Sequence, residues 1–378
     1  MVPAQARYQP DREGLKAFVE SDRRLEALRI AVGDTPAYLV GGSVRDLLLG
    51  RKPVDLDVAI EGDLDPVLRK LGGQVVEHPR FMTAEVSLDG GSVDLVRTRS
   101  ETYERPGALP EVSPATLEQD LARRDFSINA IAVPLARPGE IVDPFGGIDA
   151  IAAGKLSLLG PGSLVDDPTR ALRGARYAAR FDFEPDREME SALSDCDLQT
   201  VSPDRIRSEL GAIAGESAPE LALERLRRWG VIEVTEGSVR GVGAARYLLE
   251  ESDAWRGWAE LRDVVAVAVG DAENVGGLPD RPPSTRIEQY ELLSRIPKEE
   301  ILLARAGGAE WLDWWPTEGS QAKLEIDGDD LIDAGVEPGP AVGVGLREAL
   351  AECLESGGTD RARQLETAVE AARNVDKD

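Results

Sequence analysis

The stretch that most narrows the folding options of this chain is residues 38–60, YLVGGSVRDLLLGRKPVDLDVAI. An apolar run enters a Gly-Gly turn, a short helix carries Arg45 and Asp46, and Asp55 and Asp57 follow within an apolar alternation. A strand alternates its side chains with a period of two. The spacing therefore predicts Asp55 and Asp57 on one face and Val54, Leu56 and Val58 on the other. Two carboxylates about 7 Å apart on one strand face repel each other unless a cation sits between them, and divalent metals are the natural partners. Upstream, Gly41-Gly42-Ser43 opens a helix whose first N–H groups are free to hold an anion. A phosphate cradle beside a carboxylate pair points to nucleotide chemistry.

On either side of that unit the signals sort into two kinds. Residues 11–33 read as one amphipathic helix with Leu15, Phe18, Val19 and Leu25 on a common face. From residue 36 to about 150, helix and strand signals alternate. A helix is expected over 65–71, strands near 74–77, 83–88 and 92–97, and a hairpin at Asp89-Gly90-Gly91. A loop is expected over 106–114, a short helix over 117–122, a strand over 126–133 and a strand and turn over 141–147. Such a pattern describes an α/β region of mixed strands around one sheet. Beyond residue 148 strand signals fade. Helices are expected over 168–181, 204–215 and 218–229, with Pro168 and Pro203 near two starts. A Gly/Pro-rich linker is expected over 271–283, and core packing for Trp311, Trp314 and Trp315.

Composition removes several chemistries. His78 is the only histidine among 378 residues, so Ser-His-Asp and Cys-His mechanisms and His-rich metal sites are excluded. Cys196 and Cys353 are the only cysteines, which supports neither a disulfide framework nor a zinc site and favours the cytoplasm. No apolar run is long enough to span a membrane, and no secretory signal is expected at the N-terminus. The net charge of −26 taken alone argues against a polyanionic partner. The charge is uneven, however: arginines recur at 123, 124, 170, 173, 176 and 180, while the last third is acidic, as in EIDGDDLID over 325–333.

Two further constellations lie downstream. In RRDFSINA (123–130), Arg124 and Asp125 offer a fork of donors and a pair of acceptors suited to a triphosphate or a ribose hydroxyl. In DDPTRALRGARYAAR (166–180), Arg170, Arg173, Arg176 and Arg180 fall within roughly a third of a helix circumference, with Asp167 at the edge of that arc. Like charges so spaced repel mildly, and bound phosphates or an acidic neighbour would relieve this. Cytosine and adenine each show an amino donor beside a ring-nitrogen acceptor. Asp167 can accept from the first while Arg170 donates to the second, and the reversed edges of uracil and guanine would be rejected. Asp94, in SVDLV, is a candidate third carboxylate.

Taken in order, GGSVRDLLLG, VDLD, RRDFSINA, IVDPFGG and DDPTRALRGARYAAR resemble the class II tRNA nucleotidyltransferases and bacterial poly(A) polymerases, template-independent members of the polymerase-β-like superfamily. RSETYERPGALPEV (99–112) resembles the loop between catalytic strands of that family, and SPDRIRSEL (202–210) its neck helix. DGDDLIDAGVEPGPAVGVGL (327–346) resembles a tail more typical of tRNA nucleotidyltransferases than of poly(A) polymerases. The resemblance implies an α+β fold: an N-terminal helix (1–33), a nucleotidyltransferase head with a mixed sheet (34–150), and a helical neck (151–215), body and tail (216–378). It implies Asp55 and Asp57 as catalytic Mg²⁺ ligands, and Gly42 and Arg45 on the triphosphate. Arg124 and Asp125 fall on the nucleotide and ribose, Asp167 and Arg170 on the base, and Arg173 and Arg176 on nucleotide or phosphate. The implied substrates are tRNA, CTP and ATP. Rival readings are a poly(A) polymerase, an enzyme limited to CC or A addition, a small-molecule nucleotidyltransferase, and a catalytically silent RNA-binding module. The base-reading motif of the family begins Glu-Asp, where this chain has Asp166-Asp167.

Overall fold

In a computed structural model, which describes residues 7–270, 278–279 and 281–375, the expected helix over 11–33 is two helices, α1 (Arg12–Ser21) and α2 (Arg23–Val32). The break is chemical. Asp22 adopts extended backbone, and its carboxylate accepts from the N–H groups of Arg24 and Leu25, capping a new helix instead of continuing the old one. Strand β1 (Ala37–Val40) runs into α3 (Gly42–Leu48), then β2 (Asp57–Ile60) and α4 (Asp65–Leu71). Next come β3 (Gln74–His78), β4 (Thr83–Leu88), β5 (Gly91–Arg97), β6 (Arg99–Thr102), β7 (Glu111–Pro114), α5 (Leu117–Ala122) and β8 (Ala132–Pro134).

A six-stranded sheet has the order β3-β4-β5-β2-β1-β8, with β2 and β5 parallel and the other neighbours antiparallel. The mixed sheet is thus as expected. Along β2, Val58 and Ile60 join the large core with Leu15, Leu25 and Leu28, whereas Ala59 packs with Leu117 and Leu121 on the opposite face. Burial on both faces makes this strand a fixed support. Period-two alternation then puts Asp57 on the Ala59 side.

Four local expectations need correction. Asp55 is not in the strand, because β2 starts at Asp57: the Asp57 N–H donates to Ser43 Oγ, and the Ser43 hydroxyl donates to the Asp55 carbonyl, both at 3.0 Å. The α3 side chain thereby takes the place of a ladder partner, and Val54 is 88% exposed instead of facing the core. The expected strand over 126–133 is broken by a 3₁₀ turn, Ser127–Asn129, because Asp125 Oδ1 accepts from the Phe126 N–H and from Asn129 Nδ2. The loop expected over 106–114 is shorter, since β7 pairs with β6. Short strands also continue past residue 148, as β9 (Lys155–Leu156) and β10 (Glu184–Pro185) form a parallel pair.

The helical portion begins with α6 (Gly147–Ala153), α7 (Ser163–Asp166), α8 (Thr169–Phe181), α9 (Arg187–Ala192), α10 (Pro203–Ala214) and α11 (Pro219–Trp229). Gly147 is a packing requirement: a Cβ there would lie 2.2 Å from the Ser127 carbonyl oxygen and 2.7 Å from Ile131 Cγ1. Backbone cannot yield as a flexible side chain can. Gly147→Ala is therefore expected to cost about 1–3 kcal/mol of stability, read as a lowered midpoint in denaturant unfolding. An unchanged midpoint would refute the packing argument.

The chain divides into two compact units, residues 1–209 with 221–233, and residues 210–220 with 234–378. In the second, Trp255 is fully buried and its indole N–H donates to Asp313 Oδ1 at 2.8 Å, which also pairs with Arg305. Trp314 and Trp315 are buried with their rings edge to face, while Trp311 is half-buried. Most of the linker expected over 271–283 lies outside the described residues.

Candidate active site

A cavity of about 810 Å³ lies within the first unit, and its walls include Gly42, Arg45, Asp57, Asp94, Arg124, Asp125, Asp167, Arg170, Arg173 and Arg176. Every candidate residue named from the sequence is there except Asp55, which sits in the preceding turn. Arg180 and Arg205 also line it. Eight arginines of an acidic chain thus line one cavity.

Beside the lining residue Gly42, Gly41 has φ +68°, and a Cβ at that position would stand 2.5 Å from Arg124 Nη1. Glycine is needed both for the left-handed turn and for the guanidinium that lies against it. Arg45 is buried. It pairs with Asp46 at 2.7 Å, donates Nη1 to Asn129 Oδ1 at 2.6 Å, and lies over the rings of Tyr177 and Phe181. Parallel pairing of β2 with β5 sets Asp57 opposite Asp94, and antiparallel pairing of β4 sets Asp94 opposite Glu85. Register partners share a sheet face, so three carboxylates form a row across three strands.

The row has an electrostatic signature. Burial raises the Asp57 carboxyl above its ordinary value; Arg124 pulls it down, but Asp94 and Asp55 push it up again, and it stays raised. Asp94 is raised by burial, then by Glu85 and Asp55. Among the described residues, no side chain donates a hydrogen bond to the Asp57 carboxylate. Hard oxygen donors crowded with like charge suit a divalent cation. The same residues include no group of three or more His, Cys, Asp or Glu gathered to hold an ion by themselves. Two carboxylates completed by oxygens of a ligand would fit that arrangement, since a small hard divalent ion can keep few protein ligands.

An arginine–carboxylate lattice braces the cavity lining. Asp120, fully buried, takes Arg123 Nη2 at 2.7 Å and Arg124 Nη2 at 2.9 Å, and accepts from the Arg99 N–H at 3.2 Å. Burial would raise its carboxyl, but Arg124 and Arg123 together hold it below the usual range. Asp125 is likewise buried. Arg173 at 2.8 Å, Asn129 and the Phe126 N–H outweigh the burial and lower it, and the same partnership raises Arg173. Arg173 also lies 3.6 Å from Glu209, and Arg176 reaches Glu209 at 3.9 Å and the face of Tyr177.

Asp167 Oδ1 accepts from Arg205 Nη2 at 2.8 Å, and both residues line the cavity. Arg170 does not pair with Asp167. It donates Nη1 to Ser163 Oγ, and Nη2 to the Arg123 carbonyl and the Tyr103 hydroxyl. Burial, then Glu101, pushes the Tyr103 phenol up to about 12, so it remains a donor to Glu101. Sequence reading missed Tyr103, Asp120, Asn129, Arg205 and Glu209. Asp120 had a local signal, its i,i+3 and i,i+4 spacing to Arg123 and Arg124 on one helical end, while the others lie in quoted motifs without a pattern that marks them individually.

Residues 37–157 match the family described as the poly A polymerase head domain. The chain is 32% identical to the A-adding tRNA nucleotidyltransferase of Halalkalibacterium halodurans, over 86% of each chain. It is 33% identical to the CC-adding tRNA nucleotidyltransferase of Deinococcus radiodurans, over 96% of this chain and 97% of that one. The chain belongs to the tRNA nucleotidyltransferase family. A solved CCA-adding enzyme without ligand superposes with a TM-score of 0.77 at 28% identity, covering 94% of this chain and 98% of that one. The head with its mixed sheet, followed by helices, is therefore the tRNA nucleotidyltransferase architecture. Among the described residues no helix is long and apolar enough to cross a membrane.

Proposed function

We propose that this tRNA nucleotidyltransferase adds C, A or both to the 3′ end of tRNA, taking CTP and ATP as substrates without a template. The observation that carries this reading is a single cavity lined by Asp57, by Asp167 and by eight arginines. Asp55 and Asp57 would hold Mg²⁺, with Asp94 beside them. A pair of such ions, once bound, would supply activation of the 3′-hydroxyl and charge neutralisation on the triphosphate. The N–H groups at Gly42 and the guanidiniums of Arg45 and Arg124 bind and orient the phosphates, where negative charge grows in the transition state. Asp125 holds Arg173 at the ribose side, and Arg176 adds positive potential. This local field favours a triphosphate despite the chain's net charge of −26.

Base choice belongs to Asp167 and Arg170. Asp167 accepts from an exocyclic amino group, and Arg170, its plane fixed by Ser163, Arg123 and Tyr103, donates to the adjacent ring nitrogen. Uracil and guanine would put a carbonyl against the carboxylate and leave buried groups unpaired. We assign residues 34–150 to catalysis, 151–215 to base recognition and 216–378 to tRNA, in the cytoplasm. The test is incubation with Mg²⁺ and each nucleoside triphosphate of tRNA transcripts ending before CCA, after CC, or complete. Extension by C, A or both supports the reading and says which. Long A tails would assign a poly(A) polymerase, and no extension with any triphosphate would defeat nucleotidyl transfer.

A further inference from the structure

Asp167 accepts a hydrogen bond from a residue that sequence reading did not single out. Arg205, in the first turn of α10, donates Nη2 to Asp167 Oδ1 at 2.8 Å and lies 3.4 Å from Thr169 Oγ1. Thr169 adds its N–H at 3.1 Å and its hydroxyl at 2.6 Å to the same oxygen. Oδ1 thus carries three donors, while Oδ2 takes none from the described residues. Asp167, Thr169 and Arg205 all line the cavity, so one oxygen is committed to the protein and the other is left for a ligand. The second amino group of Arg205 donates to the Gly107 carbonyl at 3.0 Å, and the Gly107 N–H donates to the Asp166 carbonyl at 3.1 Å. One guanidinium therefore ties α10, the start of α8 and the segment between β6 and β7 to a single point.

We propose that Arg205 is a positioning residue for base selection: it fixes the rotation of the Asp167 carboxylate, so that one oxygen accepts from the amino group of cytosine or adenine. The proposal rests on the reading of Asp167 as the base-facing acceptor. A carboxylate free to turn has no fixed acceptor direction, and selectivity decays once a recognition group drifts from its working geometry. The Arg205 fork also makes that direction depend on where Gly107 stands. A lysine would keep the charge but lose the two-pronged geometry.

The test measures the affinity of the full chain for ATP, CTP, UTP and GTP with Mg²⁺, by calorimetric titration, for the parent, Arg205→Gln, Arg205→Lys and Asp167→Ala. In Arg205→Gln, ATP and CTP are expected to weaken roughly tenfold, with UTP and GTP changing less than about twofold. Arg205→Lys should recover part of the lost selectivity. Equal weakening of all four nucleotides, or unchanged selectivity, overturns the proposal. If Arg205→Gln does not fold, as read by circular dichroism, Arg205→Lys decides: selectivity equal to the parent overturns the proposal, and a loss supports it. Selectivity lost in Asp167→Ala but kept in the Arg205 variants sinks only the role of Arg205. Selectivity untouched by Asp167→Ala sinks the base-facing reading itself.

Discussion

Replacement of Asp57 by asparagine is expected to lower nucleotide transfer about a hundred- to a thousandfold, the scale that follows loss of a preorganised charge-stabilising group, while the fold becomes no less stable. The second half follows from linkage. Burial first, then Asp94 and Asp55, raise the Asp57 carboxyl in the native state, with Arg124 opposing. A carboxyl whose native value lies above its unfolded value of 3.8 binds more protons when folded. Stability then falls as pH rises through the window that opens at 3.8 and closes at the raised native value. Above that window the ionised Asp57 costs stability that the neutral amide does not. Without divalent ions at neutral pH, Asp57→Asn should melt at or above the parent temperature, and added Mg²⁺ should stabilise the parent more than the variant. Substantial residual transfer, or an unfolded variant, would defeat this account of Asp57.

Removing Arg173 should act in the opposite sense. Arg173→Gln leaves the Asp125 carboxylate buried with only Asn129 and the Phe126 N–H as partners. Breaking a buried pair on one side costs about 3–5 kcal/mol, and the lower end applies because the Arg173 side chain keeps 35% exposure. Thermal unfolding should fall by several degrees. The pH dependence has a definite sign. Burial raises the Asp125 carboxyl, but Arg173, Asn129 and Phe126 outweigh it and hold the native value below 3.8. The parent therefore has this stabilisation in full above 3.8 and loses it as pH falls through the lowered native value. Arg173→Gln should flatten that acid limb. An unaltered acid limb with an unaltered melting temperature would show the pair to be idle.

What could be read in advance followed the range of each interaction. The helix over 65–71, the strand over 83–88 and the short helix over 117–122 are where the sequence placed them, because periodicity and caps are local. Asp22 and Asp125 spoiled two longer elements, since each short acidic side chain captures nearby backbone N–H groups that a helix or strand would otherwise use. Asp55 left the predicted strand because Ser43, twelve residues earlier, supplied its hydroxyl in place of a sheet neighbour. Each of these departures is a side chain outcompeting a backbone ladder.

By itself, the sequence determined which residue types are available for chemistry: carboxylates at 55 and 57, the Gly-Gly turn, arginines spaced along a helix, and one histidine. Those choices leave phosphoryl chemistry on carboxylates and arginines as the natural reading. Only the tertiary structure decided how each charge is held. Asp57 is aligned with Asp94 by strand pairing, Arg124 is clamped by Asp120, and Asp167 is hydrogen-bonded by Thr169 and Arg205 rather than by Arg170. Spacing along a chain fixes which face a side chain shares. Which partner a buried charge finds is settled by desolvation, which makes an unpaired charge too costly and so selects the packing that pairs it.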